Sequence, residues 1–155
     1  MIIEIKLYGN ISIRENDREK IFVKRKFSWN SNIKLDFFRN DILFLKTSYF
    51  TLIPFSKLKI IFQDMEEKVS IEKLDGEEFL IVDNNRLQIL HNNFYSDKLC
   101  TILNNGQQIC EVVNHKKFST EGWKLELNFD ITNENVKFYS AIFVVLNYLD
   151  IDGGE

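Results

Sequence analysis

From Met1 to about Asp130, short runs of Ile, Leu, Val, Phe and Tyr alternate with charged or amide residues, the period-two signature of strands with one face in water. The pattern predicts strands at Ile2–Tyr8, Lys20–Phe27, Ile33–Phe38, Asp41–Thr47, Lys57–Gln63, Lys68–Leu74, Glu78–Val82, Arg86–Leu90, Lys98–Leu103, Gln107–Asn114 and Gly122–Phe129. A further short piece falls at Asn10–Arg14. Asp75-Gly76, Asn84-Asn85 and Asn104-Asn105-Gly106 place residues that tolerate positive φ between these runs, so they read as hairpin turns. The single proline, Pro54, lies within Phe50–Phe55 and marks a turn or a sheet edge, because it cannot donate to a ladder. No linker, low-complexity tract or internal repeat interrupts the series.

The pattern changes after Asp130. Val136 to Ile151 is a nearly continuous apolar run, and Ile142 to Leu146 would be apolar on every side of a helical wheel. Thr132 or Asn133 can cap its start, and Gly153-Gly154 offers an exit, which predicts a helix at about residues 134–150. A buried β-rich continuation is the competing reading, since Val, Ile and Phe also favour strands. A helix of this length reaches roughly 24 Å, less than a hydrocarbon core of about 30 Å. Lys137, Ser140 and Asn147 interrupt it as well.

A helix apolar all round needs cover all round. With about twelve strands available, the expected architecture is mostly β: a closed antiparallel barrel around a buried C-terminal hydrophobic helix, formed by residues 1–155 as one domain. A helix in that position fills the interior and leaves little room for a large internal ligand.

Composition adds bounds. The chain has 155 residues, 45% hydrophobic and 28% charged, within the ordinary globular range. Fourteen phenylalanines promise a bulky core. A formal charge of −3 and a pI near 5.5 disfavour a general nucleic-acid binder while leaving a local basic patch open. Met1 to Tyr8 lacks the basic lead, apolar run and cleavage site of a signal peptide. With two cysteines, the default expectation is a reducing cytoplasm, free thiols and no disulfide.

Two basic clusters are the candidate binding residues. In IFVKRKF, alternation places Lys24 with Lys26 on one sheet face, with Arg25 between them, and in SKLKIIF it places Lys57 with Lys59. Such pairs hold a phosphate or lipid headgroup by charge-assisted hydrogen bonds, or, more commonly, form a solvated face that protects a strand from aggregation. Cys100 and Cys110 flank the Asn104-Asn105-Gly106 turn. A three-residue loop would pair them across the hairpin, and a two-residue turn would set them out of register. They read as free core cysteines.

His91 and His115 read as surface loop residues without ligand spacing. Asp64, Glu66 and Glu67, like Asp75, Glu77 and Glu78, read as solvated turn acids, because nothing nearby in sequence would desolvate one carboxyl. Trp29 and Trp123 read as core or rim packing rather than a stacking platform. No nucleophile elbow, zinc-binding helix motif or phosphate-cradling glycine loop is present, so no catalytic set, metal site or cofactor is expected.

The hairpin KLCTILNNGQQICEVVN at Lys98–Asn114, a polar stretch, and the terminal segment VKFYSAIFVVLNYLDI together resemble the tubby C-terminal-like superfamily. Its bacterial and plant members include the LURP-one-related proteins, and the phospholipid scramblases are further relatives. The strand, turn, strand units Lys73-Leu74-Asp75-Gly76-Glu77-Glu78 and Leu103-Asn104-Asn105-Gly106-Gln107 carry the same resemblance. It covers essentially the whole chain and implies a twelve-stranded barrel threaded by its C-terminal helix, in a bacterial-type member. The functional expectation is a non-enzymatic binding or scaffold domain, cytoplasmic or membrane-peripheral, that docks on phospholipid headgroups or a protein through its outer strands. The alternative is a small apolar-ligand carrier with the C-terminal segment as a lid.

Overall fold

Strand follows strand through most of the chain: β1 (Ile2–Lys6), β2 (Ile11–Glu15), β3 (Arg18–Ser28), β4 (Asn32–Arg39), β5 (Ile42–Leu52), β6 (Phe55–Gln63), β7 (Val69–Leu74), β8 (Glu77–Val82), β9 (Asn85–His91), β10 (Lys98–Asn104), β11 (Gln107–His115) and β12 (Gly122–Phe129), before helix α1 (Glu134–Asp152). The computed structural model describes residues 1–6, 9–28, 32–52, 55–92, 97–115 and 122–152, with backbone alone at 28, 51–52, 55–56 and 148–152. Trp29, Pro54 and Gly153-Gly154 lie outside the described residues.

All twelve strands form one antiparallel sheet in the order β6-β5-β4-β3-β2-β1-β12-β11-β10-β9-β8-β7. Each strand pairs with its sequence neighbour, while β1 and β12 pair with each other, Ile3 opposite Leu125 and Ile5 opposite Trp123. The sheet therefore curls into a barrel whose seam lies in mid-chain, between β6 and β7. Across the seam the Gln63 side chain donates to the Val69 carbonyl at 3.1 Å and accepts from the Val69 amide at 2.8 Å.

Five hairpins turn on two residues: Asn16-Asp17, Asn40-Asp41, Asp75-Gly76, Asp83-Asn84 and Asn105-Gly106. Asn16, Asp17, Asn40, Asp41, Asp75, Asp83 and Asn105 take positive φ, which short polar side chains tolerate better than branched ones. Asn85 is already paired with Val82, so this turn sits one residue earlier than the Asn84-Asn85 expected from sequence. Asp41 belongs to a turn rather than to a strand, and β5 runs on past Thr47 to Leu52. The reason is parity: Leu45, Thr47 and Tyr49 are all buried and continue one inward face, but a polar Thr47 in that row interrupts the apolar pattern.

The helix occupies the interior. Every residue from Ser140 to Leu146 is buried, two turns covered on all sides. The inward faces of the strands, such as Ile3 and Ile5 of β1 and Leu35 and Phe37 of β4, are at most 1% exposed and share one core with the helix. Of the two proposed caps it is Asn133 whose Oδ1 accepts from the Asn135 and Val136 amides, at 3.1 and 3.2 Å. Glu134 lies in the first turn, where the helix dipole favours an acid, and binds Lys137 at 3.0 Å.

Candidate functional site

The buried Val23 fixes the parity of β3 and sends Lys24 and Lys26 outward. Leu35 and Phe37 do the same for β4, so Lys34 and Asp36 point out, and the buried Leu45 and Thr47 turn Lys46 of β5 out. Lys57 and Lys59 of β6 are exposed, in register with Phe50 and Ser48. Because the four strands are consecutive neighbours, these side chains form rows across one outer wall. Lys26, Lys34, Ser48 and Lys59 lie in one row, and Lys24, Asp36, Lys46 and Phe62 in the next. At about 4.8 Å between strands the wall spans roughly 14 Å from β3 to β6.

Six lysines thus share the wall with a single carboxylate on a chain whose formal charge is −3. Lys26 binds Asp36 at 2.8 Å, and Asp36 is only 7% exposed beneath its neighbours. Among the described residues, Lys26 is the one lysine of the six with a carboxylate partner. Lys26 directly opposes Lys34, a repulsive cross-strand pair that the Asp36 carboxylate offsets. An aromatic band borders the lysines: Phe22 and Phe38 pack with ring centroids 6.5 Å apart, and Lys24 Nζ sits 5.1 Å from the Phe38 ring centroid. A bulge in β6 leaves Ile61 without a partner in β5, and Ile61 and Phe62 are 57% and 42% exposed at the edge of the wall.

Arg25 belongs elsewhere. Its Nε donates to the Gly9 carbonyl at 3.2 Å and its Nη2 to the Lys6 carbonyl at 2.9 Å, so the guanidinium ties β3 to the β1–β2 connection. Of the five candidate binding residues, four share the wall and Arg25 does not. Lys34 and Lys46, which complete it, stand alone in sequence, and only their strand parity points to the wall.

At the barrel end where α1 enters, a cavity of about 440 Å³ lies between the helix, strands β2 to β5 and the β6–β7 connection. Phe44, Phe138, Tyr139, Arg39 and the acids of the β6–β7 connection line it. Asp64 and Glu66 are exposed, as turn acids should be, but Glu67 is half-buried and its charge acts on the Tyr139 hydroxyl. Burial, and next the Glu67 charge, push the Tyr139 hydroxyl up to about 12.

Cys100 lies opposite Val112, and Cys110 opposite Ile102, because the two-residue Asn105-Gly106 turn and a bulge at Ile102/Leu103 set the cysteines diagonally. Both are free and buried, and burial raises each thiol to about 12. His91 and His115 end strands rather than sit in loops, and His115 binds Glu126 on the outer face. Glu77 accepts from Gln88, and Trp123 is half-buried against the core. Among the described residues no group of three or more His, Cys, Asp or Glu is placed to hold a metal ion, and no helix is long and apolar enough to cross a membrane. No protein-family model, curated protein or solved structure matches this chain.

Proposed function

We propose that this chain is a non-enzymatic binding module of the tubby C-terminal-like kind that docks on anionic phospholipid headgroups through the outer wall of β3 to β6. The observation that carries the reading is the gathering of Lys24, Lys26, Lys34, Lys46, Lys57 and Lys59 on four adjacent strands with Asp36 as the one acid among them. A cationic wall matches a surface of phosphates, and each lysine near an anionic surface contributes about 1 kcal/mol. The exposed Ile61 and Phe62 add an apolar margin suited to the headgroup boundary. Membership of the superfamily is supported by the order of elements, a twelve-stranded barrel ending in an enclosed helix. The carrier alternative has less to support it, because α1 fills the interior and leaves the cavity at the barrel mouth.

Sedimentation with vesicles tests the proposal. Binding to phosphatidylserine-containing vesicles that weakens steeply with salt, with none to phosphatidylcholine alone, is the expected result. Equal sedimentation with both would remove it.

A further inference from the structure

The seam in the barrel offers a second kind of contact. β6 has β5 as its one ladder neighbour, and half of a strand's N–H and C=O groups point away from its neighbour. Among the described residues, the hydrogen bonds that cross to β7 are the two made by the Gln63 side chain, at the lower end of β6. Above Gln63 the strand runs back through Phe62, Ile61, Ile60, Lys59, Leu58 and Lys57 with no ladder on that side among the described residues. An open edge of this kind is a template for another strand.

We infer that the free edge of β6 is a strand-addition site for an extended acidic segment of a partner protein. Charge selects the occupant. Lys57 and Lys59 are exposed beside the edge and about 6.7 Å apart along the strand, the spacing of residues two apart in an incoming strand. Carboxylates at alternate positions meet the two ammonium groups, and an apolar residue further along covers Ile61 and Phe62. A second copy of this chain fits poorly, because pairing β6 with β6 would bring two six-lysine walls side by side. The lysines thus keep the edge from self-pairing and leave it open to an acidic strand. This contact uses backbone groups, which a lipid surface does not offer, and it shares Lys57, Lys59, Ile61 and Phe62 with headgroup docking on the wall.

The test uses the full chain and a short synthetic peptide of alternating Glu and Val. Expected are binding, slowed hydrogen exchange at alternate β6 amides, and a loss of at least about tenfold in affinity when alternate peptide nitrogens are methylated on the edge-facing side. The Lys57→Glu, Lys59→Glu double variant, checked for an unchanged melt, should reverse the preference to a Lys and Val peptide. Equal binding of the methylated peptide, or binding without protection of β6, would overturn the inference. Vesicle binding with no peptide binding would also overturn it while leaving headgroup docking intact; peptide binding without vesicle binding would support it and remove headgroup docking.

Discussion

Gln63 joins the two ends of the sheet by treating Val69 as a ladder partner, donating to its carbonyl at 3.1 Å and accepting from its amide at 2.8 Å. A side-chain amide carries the same donor and acceptor pair as a peptide unit, so one residue supplies what a strand pairing would. Gln63→Leu keeps most of the volume and removes both bonds, leaving the amide and carbonyl of the buried Val69 unpaired. The expected cost is about 1–3 kcal/mol by urea unfolding, with faster amide exchange at Val69. An unchanged midpoint with unchanged exchange would mean that the seam is held by something else.

Asp36 separates stability from binding. Its carboxylate is nearly covered and holds Lys26, yet it is also the one negative charge in the cationic wall. Asp36→Asn should lower stability by about 1 kcal/mol and strengthen binding to anionic vesicles several-fold. Weaker vesicle binding by a variant that still melts cooperatively would contradict the placement of the docking face.

The buried thiols and Tyr139 set the alkaline limit. The Cys100 and Cys110 thiols rise from 9.0 to about 12 in the fold, and the Tyr139 hydroxyl from 10.0 to about 12. Well below pH 9 all three are protonated in both states and stability is unaffected. Between pH 9 and 12 the unfolded chain releases these protons first, so stability falls through that window. Denaturant melts from pH 8 to 11 should show the decline, and it should flatten in the Cys100→Ala, Cys110→Ala variant. Native thiols should also resist alkylation at pH 8 and react once the chain is unfolded.

Phe143 is fully buried in the centre of the helix. Phe143→Asp places a charge within the apolar core and should abolish the cooperative melt, while Phe143→Leu should cost only about 1 kcal/mol or slightly more. A cooperative transition in the Asp variant would mean that the barrel folds without its helix.

Much of the fold is written locally. The all-round apolar run from Ile142 to Leu146 needs enclosure, and alternation assigns Lys24 and Lys26 to one face and Arg25 to the other before any contact is known. What is not local is the gathering of residues from different strands. Lys34 and Lys46 join the wall because β4 and β5 lie between β3 and β6, a fact of strand order. The charge of Glu67 acts on Tyr139 and so couples the β6–β7 connection to the helix, and nothing in the acidic run around Glu67 distinguishes it from a solvated turn. The diagonal placement of Cys100 and Cys110 depends on one bulge, which the composition of β10 and β11 does not announce.

The most direct test of the docking face is charge reversal on that face and on a strand outside it. Binding to phosphatidylserine vesicles would be compared for the unaltered chain, for Lys24→Glu with Lys26→Glu, and for Lys124→Glu on exposed β12. Loss of binding in the first variant, at least about tenfold, with near-normal binding in the second is the expected result. Equal loss in both, or none in either, would show that the β3–β6 wall is not the contact.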